Sequence, residues 1–341
     1  MIDEWQLVPE VLGAVKRAVD DRPSPHRYIL TGSVGADLTA AGWPATGRVV
    51  RVPLWGLTER ELAGDASATP FLSVLFEGGV DAVPQPGDPL DLRGYIETAL
   101  RGGYPEVASQ PSAAVRRTWL ASYVDQLVTR DVALAGVVRD PVRLRRYLQA
   151  CAASTAGSPE HKLLYDTAGV NRLTGLAYDD LLQALFVTEH VPAWRSSRLG
   201  RLAGTAKRYI VEPALLGPLL GLDVRAVLRD ADLLGRVVDT FVAAQLRPEL
   251  ALCDEGPRLF HVRDTHGRHE IDLMAEAADG RVVAFEIKAS SAPSDDGARH
   301  LAWLRDRLED RFVAGVLLHT GPVAYPIGDR IAAVPICAIW S

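Results

Sequence analysis

The sequence predicts an α/β protein in three parts, residues 1–110, 111–228 and 229–341. Three observations carry that prediction. A helix followed by a short apolar strand opens the chain, a run of amphipathic helices fills its centre, and an alternating hairpin organises its last third. The hairpin is residues 268–288, RHEIDLMAEAADGRVVAFEIK. Ile271, Leu273 and Ala275 alternate with Glu270, Asp272 and Met274; beyond Ala278-Asp279-Gly280, Val283, Phe285 and Ile287 alternate with Ala284, Glu286 and Lys288. Alternation on both sides of an Asp-Gly turn is the pattern of a β-hairpin with one polar face. Side chains two apart on a strand share a face, so Glu286 and Lys288 point together and Asp272 on the partner strand can meet them.

Composition sets the outer bounds. The chain has 341 residues, 48% hydrophobic and 23% charged, which is ordinary globular composition and long enough for two or three cores. A formal charge of -6 excludes a globally basic nucleic-acid binder, so such a partner needs a local patch. Cys151, Cys253 and Cys337 are far apart and odd in number, which points to a reducing compartment and no disulfide-linked partner. There is no apolar run of about 18 residues and no basic-then-apolar leader, so the expectation is a soluble, cytoplasmic protein without a membrane partner.

The first part starts with Asp3-Glu4-Trp5-Gln6. Residues 9–19, PEVLGAVKRAV, place Val11, Leu12, Val15 and Val19 on one helical face with Pro9 at the start. Tyr28-Ile29-Leu30 is a buried-strand candidate ending in Thr31-Gly32-Ser33, the order of a parallel α/β sheet whose ligands sit at strand ends. Residues 80–91, rich in Pro, Gly and Asp, read as a linker, and Leu92 to Leu100 as a short helix.

In order, DEWQ, the helix from Pro9, ILTGS at 29–33, Gly47-Arg48 and PLWGLTEREL at 53–62 resemble the second half of a prokaryotic AAA-type P-loop ATPase. In that family the domain is joined to a C-terminal domain of unknown function. The resemblance implies that Asp3 is the Walker B magnesium ligand and Glu4 the water-activating glutamate. Ser33, or Thr31, takes the sensor position, and Arg48 falls in the family's Gly-Arg pair, counted with the cofactor-binding residues. No G-x-x-x-x-G-K-[ST] occurs in the chain, so no lysine or backbone nest is present for the β- and γ-phosphates. The expectation is a partial P-loop domain that does not hydrolyse ATP as written, with ATP a cofactor only if N-terminal residues are restored.

The middle part is helical. Trp119, Leu120, Tyr123, Val124 and Leu127 form one face of a helix over 113–128, and 141–153 is an amphipathic helix opened by Pro141. Residues 163–170 and 178–187 read as two helices joined by a turn containing Gly175. With a basic hairpin to follow, they suggest a winged helix-turn-helix, as in the resembled family. Arg172, Arg195, Arg198, Arg201, Lys207 and Arg208 make the wing basic, while Asp179 and Asp180 at the start of the second helix repel phosphate and favour capping or protein docking. Lys207 matches a lysine of the family pattern, and Glu212-Pro213 departs from its Asp-x-Gly-Leu turn. Residues 214–228 read as a buried helix with two Gly interruptions.

The last part predicts a helix over 233–246 ended by Pro248, strands at 258–262 and 312–318, the hairpin, a helix over 301–308, an edge at 323–326 and a final segment 332–340. The order α-β-β-β-α-β and the spacing D-x13-E-x-K resemble the restriction-endonuclease-like core. Asp272 and Glu286 are then Mg²⁺ ligands, Lys288 orients the attacking water, and Asp239 on the first helix stands where the family commonly has glutamate. Three histidines, His261, His266 and His269, lack a fourth ligand and a common direction for zinc. Three functions remain open: a non-hydrolysing member of the ATPase family with a C-terminal recognition domain, a Mg²⁺-dependent nuclease, and a protein-interaction scaffold. The partner is either nucleic acid or protein.

Overall fold

Helix α1 (Val11–Asp21) carries the N-terminal segment in a computed structural model that describes residues 1–22, 27–32, 49–65, 69–131, 140–196, 204–263 and 269–341. Its apolar face buries Leu12 and Val15 against Ile2, Trp5, Val19 and Leu30. The strand expected at Tyr28–Leu30 is only a parallel bridge from Ile2 to Leu30. Tyr28 and Ile29 are exposed, because among the described residues that bridge is their one strand neighbour.

Residues 69–101 do not stay with this segment. Helix α2 (Phe71–Gly78) begins after Pro70, which offers no capping side chain. Its first free N–H groups are satisfied from elsewhere: Glu249 accepts from Phe71 N at 3.1 Å and Leu72 N at 3.0 Å. That distant cap seats Phe71, Leu72, Leu75 and Phe76 in the core that also holds Phe285 and Val316. Helix α3 (Leu92–Arg101) starts on Asp91, which accepts from Gly94 N at 2.7 Å, and buries Tyr95 and Ile96 in the same core. The intervening 80–91 contains the end of a 3₁₀ turn, Gly79–Ala82, and no other helix or strand.

In the middle, α4 (Ala113–Gln126) and α5 (Pro141–Ala153) form as the patterning requires, α5 with Pro141 in its first turn and Asp140 as its cap. The next pair differs from expectation. Helices α6 (His161–Ala168) and α7 (Arg172–Ala184) are joined at Gly169, which has φ +67°, and α7 is capped by Asn171. Gly175 lies inside α7 instead of in the turn: a Cβ there would stand 2.7 Å from that of Tyr165, so glycine serves helix–helix approach. Asp179 is therefore mid-helix and buried, ion-paired with Arg208; only Asp180 faces solvent. Strands β1 (Thr188–Val191) and β2 (Lys207–Ile210) pair antiparallel. Lys207 and Arg208 are both buried, which removes them from the expected basic wing. Residues 214–228 form two short helices, Leu216–Leu220 and Val224–Arg229, broken at Gly221 with φ +68°.

Helix α8 (Ala231–Glu249) runs one residue past Pro248. Among the described residues six strands follow: β3 (Arg258–Arg263), β4 (Glu270–Glu276), β5 (Val282–Ile287), β6 (Phe312–His319), β7 (Tyr325–Gly328) and β8 (Ile331–Pro335). Their order in the sheet is β3-β4-β5-β6-β8-β7. β4 is antiparallel to both β3 and β5; β5, β6 and β8 run parallel, and β7 is an antiparallel edge. Helix α9 (Arg299–Leu308) makes the crossover between β5 and β6 that parallel pairing demands. Gly280, at φ +89°, makes the hairpin turn. The hairpin has no fully wet face, however. Leu273, Ala275 and Phe285 pack on the side of α2 and α8, and Met274 and Ala284 on the side of Leu301 and Leu304 of α9. Covered on both faces, β4 and β5 are interior strands.

Candidate functional site

Each residue of the site is placed by an element already described. Asp239 projects from the middle of α8, Lys207 and Tyr209 lie two apart on β2, Asp272 lies on β4, and Glu286 stands one residue from the end of β5 with Lys288 just beyond. Lys207 Nζ donates to Asp239 Oδ2 at 2.6 Å, to Asp272 Oδ1 at 3.3 Å and to the Asp272 carbonyl at 3.2 Å. Tyr209 OH donates to Asp239 Oδ1 at 2.8 Å, and Ile287 N donates to Asp272 Oδ2 at 2.9 Å. Lys288 Nζ donates to Glu286 Oε2 at 3.2 Å, whereas Glu286 Oε1 is buried with no partner among the described residues.

Charge follows from these distances. Burial alone would lower the Lys207 pKa, but Asp239, Tyr209 and Asp272 outweigh it and hold the ammonium well above 10.5. Asp239 is raised by burial and drawn back by Lys207, leaving it at about 6 and ionised at neutral pH. Burial also raises Asp272, yet Lys207, the Ile287 N–H and Lys288 together lower it below its usual value. Glu286 is pushed up to about 8, by burial first and by the charge of Asp272 second, against the pull of Lys288.

The donor set does not fit Mg²⁺ as it stands. That ion takes oxygens at about 2.0–2.1 Å in octahedral array. Both oxygens of Asp239 and both of Asp272 are engaged, and the Lys207 ammonium stands between the two carboxylates where a cation would stand. Among the described residues, no group of three or more His, Cys, Asp or Glu is arranged to hold a metal ion.

An open cleft of about 450 Å³ lies beside the cluster, lined by Lys288, Ser290, Ser294, Asp296, Arg299 and His300. His269 stacks on Trp303, with centroids 4.3 Å apart, and His261 is buried with Nε2 3.0 Å from the Thr205 carbonyl; His266 lies outside the described residues. Asp3 sits in the N-terminal cluster, where it accepts hydrogen bonds from Glu4 N and the Thr31 hydroxyl. Ser33 and Arg48 lie outside the described residues. Sequence reasoning named Asp239, Asp272, Glu286 and Lys288 but put Lys207 on the wing and passed over Tyr209. The available signal was their two-residue spacing in KRYI, which puts both on one strand face.

Comparison with known proteins finds two family models that match parts of the chain. Residues 92–226 match a domain of unknown function, DUF8612, and residues 234–339 match another, DUF4143. DUF4143 is found in AAA-ATPase-associated proteins. An uncharacterized protein of Mycobacterium tuberculosis is 28% identical over 342 residues, covering 98% of this chain and 67% of its own length. An uncharacterized protein of Mycobacterium bovis matches with the same identity and coverage. No solved structure matches the chain. No helix among the described residues is long and apolar enough to cross a membrane.

Proposed function

We propose that this chain is a recognition component of an ATPase-associated protein, with a restriction-endonuclease-like C-terminal unit that binds without cutting. The observation that carries the reading is the Lys207 ammonium bonded to both Asp239 and Asp272. Phosphodiester cleavage of the metal-dependent kind needs a cation that grips the phosphate and lowers the pKa of its water. An ammonium held well above 10.5 offers no vacant coordination position and takes no proton at neutral pH.

The order α8-β3-β4-β5-α9-β6 supports the endonuclease-like fold. Three helices followed by the β1–β2 hairpin support a winged-helix-like middle, whose buried Lys207 and Arg208 weaken it as a DNA reader. The occurrence of DUF4143 in AAA-ATPase-associated proteins supports the ATPase link. Asp3 bonded to Thr31 is compatible with a Walker B and sensor pair. The chain contains no G-x-x-x-x-G-K-[ST], so the reading assigns no ATP hydrolysis to these residues. The cleft beside the cluster holds Lys288 and Arg299, each bonded to a carboxyl group, Glu286 and Asp296, and so supports a nucleic-acid or a protein partner alike.

A second reading, a Mg²⁺-dependent nuclease, is favoured by the Glu286–Lys288 pair beside that cleft. One experiment separates the two. Single-stranded DNA, double-stranded DNA and RNA are incubated with Mn²⁺ and the wild type, Glu286→Ala or Lys288→Ala. Recognition predicts equal, background cleavage by all three. Mn²⁺-dependent cleavage by the wild type that both substitutions abolish would establish the nuclease and sink the proposal.

A further inference from the structure

Two half-buried histidines outside the carboxylate–lysine cluster meet at the wall of the cleft. His300, in the first turn of α9, lines the cleft, and His269 stands immediately before β4. Their Nδ1 atoms are 3.4 Å apart, and the rings meet edge to face at 84° with centroids 5.6 Å apart. His269 also lies flat on Trp303, 4.3 Å between centroids and 4° between planes, so its orientation is held from a second side. Trp303 comes three residues after His300 on α9 and shares its side of the helix. Two facing nitrogens at that distance hold one proton between them, because two N–H groups would collide and two bare lone pairs would repel. One ring therefore donates through Nδ1 and the other accepts. A neutral imidazole that accepts at Nδ1 carries its own proton on Nε2.

The surroundings decide which ring accepts. Burial, then Arg299, His269 and Lys288, hold the His300 pKa below its ordinary value against the opposing pull of Glu270. Positive charge is least welcome there, which makes His300 the accepting ring. His269 instead faces an indole, whose negative π-face suits the partial positive charge of a donating ring, although Arg307 lies over the same indole at 5.8 Å. We propose that His269 is the positioning residue of His300: it donates Nδ1–H to the His300 Nδ1, holds that ring neutral with its proton on Nε2, and so sets a neutral donor on the cleft wall. Lys288 and Arg299 line the same cleft as cations, bonded to Glu286 and Asp296. His300 adds a directional group of a different kind, one that matches a hydrogen-bond acceptor on the partner. The proposal rests on the reading of this cleft as the recognition site. Its test needs no partner, so nucleic-acid cleavage, or a failure to find any partner, would count against that reading and leave the tautomer where it is.

The test uses the full 341-residue chain with its 8 histidines labelled with nitrogen-15, in EDTA. Long-range proton–nitrogen spectra between about pH 5 and 8.5 report which ring nitrogen carries the proton, and His300→Asn identifies the His300 signals. The expected wild-type result is a single neutral His300 tautomer, protonated on Nε2, at neutral pH. His269→Phe keeps a ring on Trp303 but removes the Nδ1 donor. It should leave His300 a mixture of tautomers and raise its midpoint by about 0.5 pH unit, since a neighbour that can charge is gone. His269→Asn, whose amide can donate from nearly the same point, should restore the Nε2–H tautomer, which a merely space-filling role would not. The proposal is overturned if wild-type His300 is charged or carries its proton on Nδ1 at neutral pH. It is overturned equally if His269→Phe changes neither tautomer nor midpoint, or if His269→Asn behaves as His269→Phe does. Should His269→Phe fail to fold, the wild-type tautomer and the His269→Asn spectrum decide.

Discussion

Replacing Glu286 by glutamine should stabilise the protein, and by an amount that grows with pH. The folded chain holds the Glu286 proton up to about pH 8, against an ordinary value of 4.5, chiefly because the carboxyl is buried and secondly because Asp272 is charged. Folding therefore favours the protonated acid. No penalty exists below pH 4.5, and the stability lost by ionising the group accumulates as pH rises through 8. At about 1.4 kcal/mol per unit, the gap between 4.5 and 8 amounts to roughly 5 kcal/mol above pH 8 and roughly 3 kcal/mol at pH 7. Glu286→Gln removes the ionisation and keeps an oxygen for Lys288. Asp239, at about 6, and Glu249, at about 7, titrate in both proteins and cancel in the difference. Urea unfolding at about pH 5.5, 7 and 8.5 should give variant-minus-wild-type differences of roughly 1, 3 and 5 kcal/mol, at equal m-values. A difference that stays flat across that range would refute the argument, because it would mean that Glu286 is ionised alike in both states.

Other consequences can be checked by unfolding alone. Asp179→Ala leaves the Arg208 guanidinium buried without its carboxylate, and should cost about 3–5 kcal/mol in urea unfolding; a loss under 1 kcal/mol would show that water reaches Arg208. Gly175→Ala drives a methyl against Tyr165 and should cost about 1–3 kcal/mol by the same measurement, whereas a neutral effect would mean that α6 and α7 can part freely. Removing residues 1–32 should leave the main thermal transition within about 2 °C of the intact chain, since their buried apolar residues form a cluster separate from the main core. A much larger fall would show that this segment shares the main core.

The elements that were legible are those whose signal is local. The hairpin turn follows from Asp279-Gly280, the central strand β6 from the apolar run at 312–318, and α5 from Pro141 behind Asp140. What failed to show is decided between distant residues. Alternation in β4 looked like one wet face because a sequence cannot display the second layer; α9 supplies it through Leu301 and Leu304. Helix α2 belongs with the C-terminal sheet because Glu249 caps it across a separation of 178 residues. Nothing near Pro70 encodes that partner. Gly175 reads as a turn residue by type, but its role is set by Tyr165 on the neighbouring helix.

The same reasoning explains why the carboxylate–lysine motif was legible and its state was not. A charge near apolar residues reads as surface, since an unpaired ion is expensive to bury. Lys207 and Arg208 escape that expectation through partners at separations of 32 residues, to Asp239, 65, to Asp272, and 29, to Asp179. The letters D-x13-E-x-K contain two acids and one base, and any working metal site built on them must import positive charge. Here Lys207 imports it. Asp239, Asp272 and Glu286 face Lys207 and Lys288, so a single proton on Glu286, retained up to about pH 8, makes the five groups neutral. Every letter of the motif is thus compatible with a cluster neutralised from outside it, and the counter-charge that does so here lies on β2.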